Sequence, residues 1–302
     1  MTTAPTRHRI DRGNDSNSAV PAPETPLSAG DVAAFHSDGY LLVRNFYDVE
    51  TQIRPIQKTI HRLIGLLIRK YDLSIAQQPF APESFDSGYQ QLIAHDRSIG
   101  GEIYDAVKQI PEFVRLVSCS QHCDVVRQLR NTDLPAVAAG GYGIRIDNPG
   151  EEKFRAPWHQ DYSAQFRSMD GIVFWSPLLA MTKSMGPVEV CKGSHADGLV
   201  RVHTQDQNNP EKTGAYALIL EDEQERIASY EHQAPLTEPG DLLILDYLTI
   251  HRSGSNVADR SRWSMQMRFF NFEEPTGQKI RWSGAYAAGA DLKAVHPELY
   301  ID

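Results

Sequence analysis

Four times in this chain a histidine stands two residues before an aspartate: His36/Asp38, His122/Asp124, His159/Asp161 and His195/Asp197. Imidazole and carboxylate both bind divalent first-row metals, so each pair is a candidate half of a metal centre. With 11 His and 22 Asp in 302 residues, chance alone supplies about one such pair, so context must choose. In an extended segment residues i and i+2 point to the same side, whereas on a helix they do not share a face. In "APWHQDYSA" an extended chain would let His159 and Asp161 project together while Gln160 points away. A third ligand must come from elsewhere, and "LLILDYLTIHRSGSN" offers His251 at the end of a strongly apolar strand. Two His and one carboxylate on one face of an octahedral ion leave three positions open, the arrangement of non-haem Fe(II) oxygenases. His195/Asp197 stays a competitor. It sits in "KGSHADG", where flanking glycines favour a turn, and only 56 residues separate it from His251, against 92 for His159.

The other two pairs fall on elements that disfavour joint ligation. From Leu27, "LSAGDVAAFHSDGYLLVRNFYD" reads as a short helix followed by a strand, with Ser28 as cap and Asp31 three residues on. His36 and Asp38 mark the corner between them, just before Gly39. Residues 51–71 carry Ile53, Ile56, Ile60, Leu63, Ile64, Leu67 and Tyr71 at helical spacing. A further helical region spans about 97–130, with Ile103, Val107, Ile110, Val114, Leu116 and Val125, and His122/Asp124 lies inside it. After about residue 135 short β-rich runs alternate with Gly, Pro, Asn and Asp: "GYGIRI", "GIVFWSPLLA", "PVEVCKGS", "GAYALILE", "DLLILDYLTIH" and "RWSMQMRFFNF". That texture predicts a β-sandwich or barrel behind N-terminal helices. There is no βαβ alternation, Gly-x-Gly-x-x-Gly, Walker loop or evident internal repeat, which argues against a doubly wound nucleotide fold.

Composition narrows the partners. Apolar content of 41% and charged content of 23% are those of a globular chain, and the net charge of −9 argues against a nucleic-acid footprint. The most apolar stretch, Ile60 to Ile68, is broken by His61 and Arg62, so no membrane span is expected. Residues 1–26 have few large apolar side chains, with Pro21, Pro23 and Pro26 at their end, and read as a flexible leader without a signal peptide. Three cysteines, Cys119, Cys123 and Cys191, suggest a reducing compartment, hence a cytoplasmic protein. "CSQHC" lacks the Cys-x-x-Cys spacing and a second ligand pair, and reads as free thiols on a helix.

Eleven positions after His251, in "HRSGSNVADRSRW", stands Arg262. The combination of "AFHSDGYLLVRNFY", "WHQD", "FWSPLLAMTKSMGPVEVCKGSH", "EPGDLLILDYLTIHRSGSN" and the Arg262 strand resembles the phytanoyl-CoA dioxygenase-like (PhyH) family of Fe(II)/2-oxoglutarate oxygenases, over roughly residues 27–272. The resemblance implies a double-stranded β-helix (a cupin-like jelly roll) over about 135–272, with a helical part over about 27–130, in a single domain spanning 27–302. It implies His159, Asp161 and His251 as the Fe(II) ligands, and Arg262 and Ser253 at the distal carboxylate of 2-oxoglutarate. Tyr142 and Trp175 would be further cosubstrate contacts, and His195 a structural turn residue. The cofactors implied are Fe(II), 2-oxoglutarate and O2. Related halogenases carry a small residue where Asp161 stands, so the carboxylate points to hydroxylation, or to desaturation or cyclisation. The substrate would be a small molecule, acted on by a monomer or homo-oligomer.

Residues Arg262, Ser264, Gln266 and Arg268 alternate with Trp263, Met265, Met267 and Phe269, as expected of a strand lying between two environments. Arg is suited to gripping a carboxylate with two parallel hydrogen bonds. Two rivals remain at this level: a cupin-type metalloenzyme that does not use 2-oxoglutarate, and a non-catalytic small-molecule binding jelly roll. The polar stretch around 203–214 is long for a compact barrel and is a candidate lid.

Overall fold

The structure, a computed structural model, describes residues 26–206, 208–210, 212–284 and 292–301. The expected leader, 1–26, lies outside the described residues apart from Pro26. Helix α1 (Ala29–Asp38) begins at Ser28, whose hydroxyl accepts from the Asp31 amide while the Asp31 carboxylate accepts from the Ser28 amide. It ends where Gly39 takes a φ of 76°, a left-handed conformation that costs glycine nothing. The chain then enters β1 (Tyr40–Val43). Helix α2 (Arg54–Lys70) buries Ile56, Ile60, Ile64, Leu67 and Ile68, and each such side chain contributes about 2 kcal/mol of burial. Tyr71 falls past its end and is exposed. A short α3 (Tyr89–His95) follows. The region read as one helical stretch divides into α4 (Arg97–Val107), α5 (Pro111–Val117) and α6 (Ser120–Arg130). Pro111 cannot continue a preceding helix, and Cys119, extended at ψ 149°, precedes the next.

Strands β2 (Pro135–Val137) and β3 (Gly143–Asp147) come next, and then the four-residue helix α7 (Tyr162–Gln165). The remaining strands are β4 (Ile172–Pro177), β5 (Val188–Cys191), β6 (Val202–His203), β7 (Ile219–Leu220), β8 (His232–Gln233), β9 (Leu242–Asp246), β10 (His251–Ser253), β11 (Arg262–Asn271) and β12 (Tyr300–Ile301). Six strands form one sheet in the order β1-β9-β4-β11-β2, with β3 also paired to β11. A second sheet runs β10-β5-β8 and a third, smaller one β12-β6-β7. All pairs but β12/β6 are antiparallel.

Strands β4 and β9 are buried at every position, which is why they read as continuous apolar runs rather than alternating ones. Strand β11 is the axis of the large sheet and lies between two different covers. Its apolar side chains meet the helical part: Trp263 packs edge-on against Phe85 and Tyr89, and Phe269 against His122 of α6. The alternating Arg262, Ser264, Gln266 and Arg268 therefore point to the opposite face, where the candidate site lies. Among the described residues no helix is long and apolar enough to cross a membrane.

Candidate metal centre and its cavity

His159 and His251 face each other across a two-hydrogen-bond bridge, each amide donating to the other's carbonyl at 3.0 Å. Their rings lie 4.3 Å apart. The carbonyl of Pro157 accepts from Nδ1 of His159 at 2.8 Å, and that of Thr249 from Nδ1 of His251 at 2.9 Å. A carbonyl can only accept, so both Nδ1 atoms carry a proton, which in a neutral ring leaves the lone pair on Nε2. This is the orientation that a metal-binding imidazole needs.

Asp161 reaches the same point by a different backbone from the one expected. The chain is extended at His159 but turns helical at Asp161 (φ −63°, ψ −30°), whose carbonyl accepts from the amides of Ala164 and Gln165. Convergence of the pair thus rests on a bridge followed by a helical turn, not on a continuous strand. Gln160 does point away. Its amide donates to the carbonyls of Gly198 and Leu248 at 2.8 and 2.7 Å and its oxygen accepts from Val200 at 2.8 Å. That buried side chain ties the ligand segment to the chain just before His251.

Oδ1 of Asp161 accepts from Nε of Arg268 at 2.8 Å. Oδ2 is buried, has no hydrogen-bond partner, and lies 3.4 Å from Nε2 of His251. Leaving a buried carboxylate oxygen unsatisfied costs about 1–3 kcal/mol, so an orphan here indicates an atom kept for a ligand. Burial pushes the Asp161 carboxyl up, but the Arg268 guanidinium and the two imidazoles outweigh it and hold the group well below the usual carboxylate range. Burial, and then repulsion from His251, lowers His159 to about 4. At neutral pH the site therefore presents an anionic oxygen and a neutral imidazole. The three donor atoms all lie within 4.8 Å of one another, and no other such cluster occurs among the described residues. One carboxylate with an orphan oxygen and two imidazoles anchored through Nδ1 suit a divalent iron.

The other His-x-Asp pairs are held by partners of their own. Nε2 of His195 donates to the carbonyl of His36 at 3.0 Å, Asp197 accepts from the Tyr230 hydroxyl, and Asp38 pairs with Lys192 at 3.1 Å. His122 is buried on α6, its ring bonded to the Tyr47 hydroxyl at 2.7 Å.

Beside the triad opens a cavity of about 600 Å³, walled by α4, the Gly140–Gly143 segment and Phe154. A recess of about 50 Å³ shares His159, Asp161 and Arg268 with it and takes in His251. Trp175 and Ser253 line the recess, and Tyr142 lines the larger cavity, edge-on to Phe113. Arg262 lines neither. It is 1% exposed, its Nε and Nη2 on Oδ2 of Asp147 at 3.1 and 2.7 Å and its Nη1 on the carbonyl of Gly186. Asp147 also accepts from Nε of Arg145 at 2.7 Å. Its carboxyl is pushed up by burial and pulled down further by the two guanidinium groups, ending below its ordinary value. Of the candidate lid, Gln207 and Glu211 lie outside the described residues. Asp206 is buried and caps a turn by accepting from Asn208 and Asn209, and Ala215 reaches the cavity wall. Gln160, Gln266, Arg145 and Arg268 were given no role by sequence reasoning. The alternating polar row of β11 was the signal for Gln266 and Arg268.

The phytanoyl-CoA dioxygenase (PhyH) family model matches residues 35–264. Ectoine dioxygenase of Sphingopyxis alaskensis is 25% identical over 246 residues, covering 78% of this chain and 72% of that protein. The crystal structure of EctD from S. alaskensis with 2-oxoglutarate and 5-hydroxyectoine superposes with a TM-score of 0.52 at 17% identity, over 83% of this chain and 78% of that one. The non-heme alpha-ketoglutarate-dependent carbocyclase SnoK from nogalamycin biosynthesis gives 0.51 at 14% identity, over 87% and 95%. Matched by the family model over most of its length, this chain belongs to the phytanoyl-CoA dioxygenase (PhyH) family and is a non-haem iron, 2-oxoglutarate-dependent dioxygenase.

Proposed function

We propose that the chain hydroxylates an unactivated C–H bond of a small molecule held in the larger cavity, on a jelly-roll scaffold, with release of succinate and CO2. The observation that carries this reading is the convergence of one donor atom each from His159, His251 and Asp161, whose Oδ2 is an orphan, where cavity and recess meet. These three would hold Fe(II), which with 2-oxoglutarate and O2 supplies an oxidant able to remove a hydrogen atom from carbon.

The protein's own contribution is orientation and exclusion of water. Ser253 and Trp175 flank the recess as cosubstrate contacts, and Tyr142 stands on the substrate side. Arg262 would take the distal carboxylate of 2-oxoglutarate by exchanging its present bonds to Asp147 and the Gly186 carbonyl for it. Its contact Gly186 is two residues from Val188, which lines the recess and pairs in register with Ser253. Asp147 is shared between Arg262 and Arg145. The retained Asp161 supports hydroxylation over halogen transfer. Three free cysteines, Cys119, Cys123 and Cys191, support a reducing compartment such as the cytoplasm.

Screening small metabolites for succinate release from 2-oxoglutarate, with mass analysis for a gain of one oxygen, tests the reading. Products that lose two hydrogens without gaining oxygen would show desaturation or ring closure instead. Arg262→Leu should keep Fe(II) and weaken 2-oxoglutarate by about 2–4 kcal/mol, the scale for removing one partner of a buried charge pair. Arg260, spent on Asp86 and the carbonyl of Glu83, is the control, and Arg260→Leu should change stability rather than cosubstrate affinity.

A further inference from the structure

A guanidinium beside a site for a divalent cation is at first sight unfavourable, since two positive charges repel across a low-dielectric interior. Arg268 nevertheless stands there, rooted on β11 opposite Val173 of β4, with Nε on Oδ1 of Asp161 at 2.8 Å and Nη1 on the carbonyl of Gly141 at 3.4 Å. The other oxygen of the same carboxylate is the orphan. The two oxygens of Asp161 are thus already divided between two tasks. A carboxylate without such a partner can turn and bind a metal through both oxygens, which occupies one more coordination position.

We propose that Arg268 is a positioning residue that restricts Asp161 to one metal-binding oxygen and so keeps three coordination positions open. With two imidazoles and one oxygen bound, an octahedral ion has three positions left; with both carboxylate oxygens bound it has two. A two-point chelate by 2-oxoglutarate and one further ligand require all three. Arg268 therefore trades some metal affinity for room at the metal. It also joins the metal carboxylate to the Gly140–Gly143 wall of the substrate cavity through Gly141. This inference rests on the reading of His159, Asp161 and His251 as the iron ligands.

The test uses the full chain without O2 and follows the visible charge-transfer absorption that a chelated 2-oxo acid gives on Fe(II). Wild type should bind one Fe(II) and develop the band saturably with 2-oxoglutarate. Arg268→Gln should still bind one Fe(II), but the 2-oxoglutarate needed for half-saturation should rise by about tenfold or more, the range seen when a group supporting a metal ligand is lost. Arg268→Lys, which keeps a charged donor, should recover most of that loss. A part that merely props up the fold would weaken Fe(II) and 2-oxoglutarate together and would not be rescued by lysine. A folded Arg268→Gln that titrates as wild type, or that loses Fe(II) outright, overturns the proposal. If Arg268→Gln does not fold, a crystal structure of the wild-type protein loaded with Mn(II) decides. One Asp161 oxygen on the metal and the other on Arg268 supports the assignment, and both on the metal refutes it. Failure of wild type to bind Fe(II) at all would instead strike the reading of the triad.

Discussion

At the scale of single residues, the choice among four His-x-Asp pairs is a choice among backbone conformations. His159→Ala or His251→Ala should abolish stoichiometric Fe(II) binding in an anaerobic titration, while His195→Ala, bonded only to the His36 carbonyl through Nε2, should keep it. Loss of metal in His195→Ala with retention in His159→Ala would reverse the assignment. His251 was legible because a strand end is a local feature, whereas the extended tripeptide expected for His159 and Asp161 gives way to a helical turn at Asp161. Arg268 was not legible, because its role depends on which end of the polar row on β11 approaches the metal, and that is set by register against β4 and β3. A second residue-scale consequence concerns acid. Burial lowers His122 to about 4, against 6.5 when exposed. Between those values the unfolded chain binds more protons than the folded one, so stability falls as pH drops from 6.5 to 4 and levels off below. A shift of this size sets a ceiling of about 3 kcal/mol on the effect. His122→Gln keeps an amide that can serve Tyr47 and Val117 but does not titrate. The stability advantage of wild type over this variant, measured in urea, should therefore shrink across that window, and a constant gap would show that His122 does not carry the effect.

At the scale of elements, the site depends on how closely β5 and β10 approach beside β11. Gly186 has a φ of 65°, and a Cβ there would lie 2.4 Å from the carbonyl carbon and oxygen of Gly254. No side chain can move to relieve that contact, because both atoms are backbone. Gly186→Ala should therefore cost about 1–3 kcal/mol by overpacking and push apart the strands that carry Val188 and Ser253. Because the Gly186 carbonyl also accepts from Arg262, 2-oxoglutarate affinity should fall while Fe(II) binding at the His251 end survives. Gly143→Ala is the control: its Cβ would meet only the flexible Lys108 side chain at 3.6 Å, and Fe(II) and 2-oxoglutarate titrations should match wild type. Equal effects in the two variants would remove the special role of the β5–β10 approach. The helical character of 51–71 and 97–130 and the alternation of β11 were readable from spacing, since each is periodic over several turns or pleats, while the breaks at Pro111 and Cys119 were not. Nor was the helical turn at Asp161. It is four residues long, and its cause is tertiary: Tyr162 donates from its amide to the carbonyl of Tyr247.

At the scale of the whole molecule, the change of texture near residue 135 could mark a boundary between a helical domain and a β domain, yet the packing joins them. One continuous apolar cluster contains Ile60 and Ile64 of α2, Ile103 of α4, Val125 of α6, Phe174 of β4, and Met265 and Phe269 of β11. The cavity has the same mixed parentage, with Arg97, Gly101 and Tyr104 of α4 on one wall and His159 and Asp161 on another. Neither part can keep its apolar face covered without the other, which is the physical content of the single-domain expectation for 27–302. The chain provides two separable reporters of this. All four tryptophans, Trp158, Trp175, Trp263 and Trp282, lie after residue 135, so their fluorescence follows mainly the β part, with Trp263 also reporting its seat against Phe85 and Tyr89. The longest helices lie before it, so helical circular dichroism follows the other. In urea the two signals should lose structure at the same midpoint and with the same slope, as one cooperative unit does. Ile103→Ala, which opens a hole on the helical side of the shared core, should lower both midpoints together, by about 2–5 kcal/mol in stability. If the dichroism midpoint moved and the fluorescence midpoint stayed, the helical part would be a separate folding unit, and the α4 wall of the cavity would have to be regarded as docked onto the metal-bearing part rather than built into it.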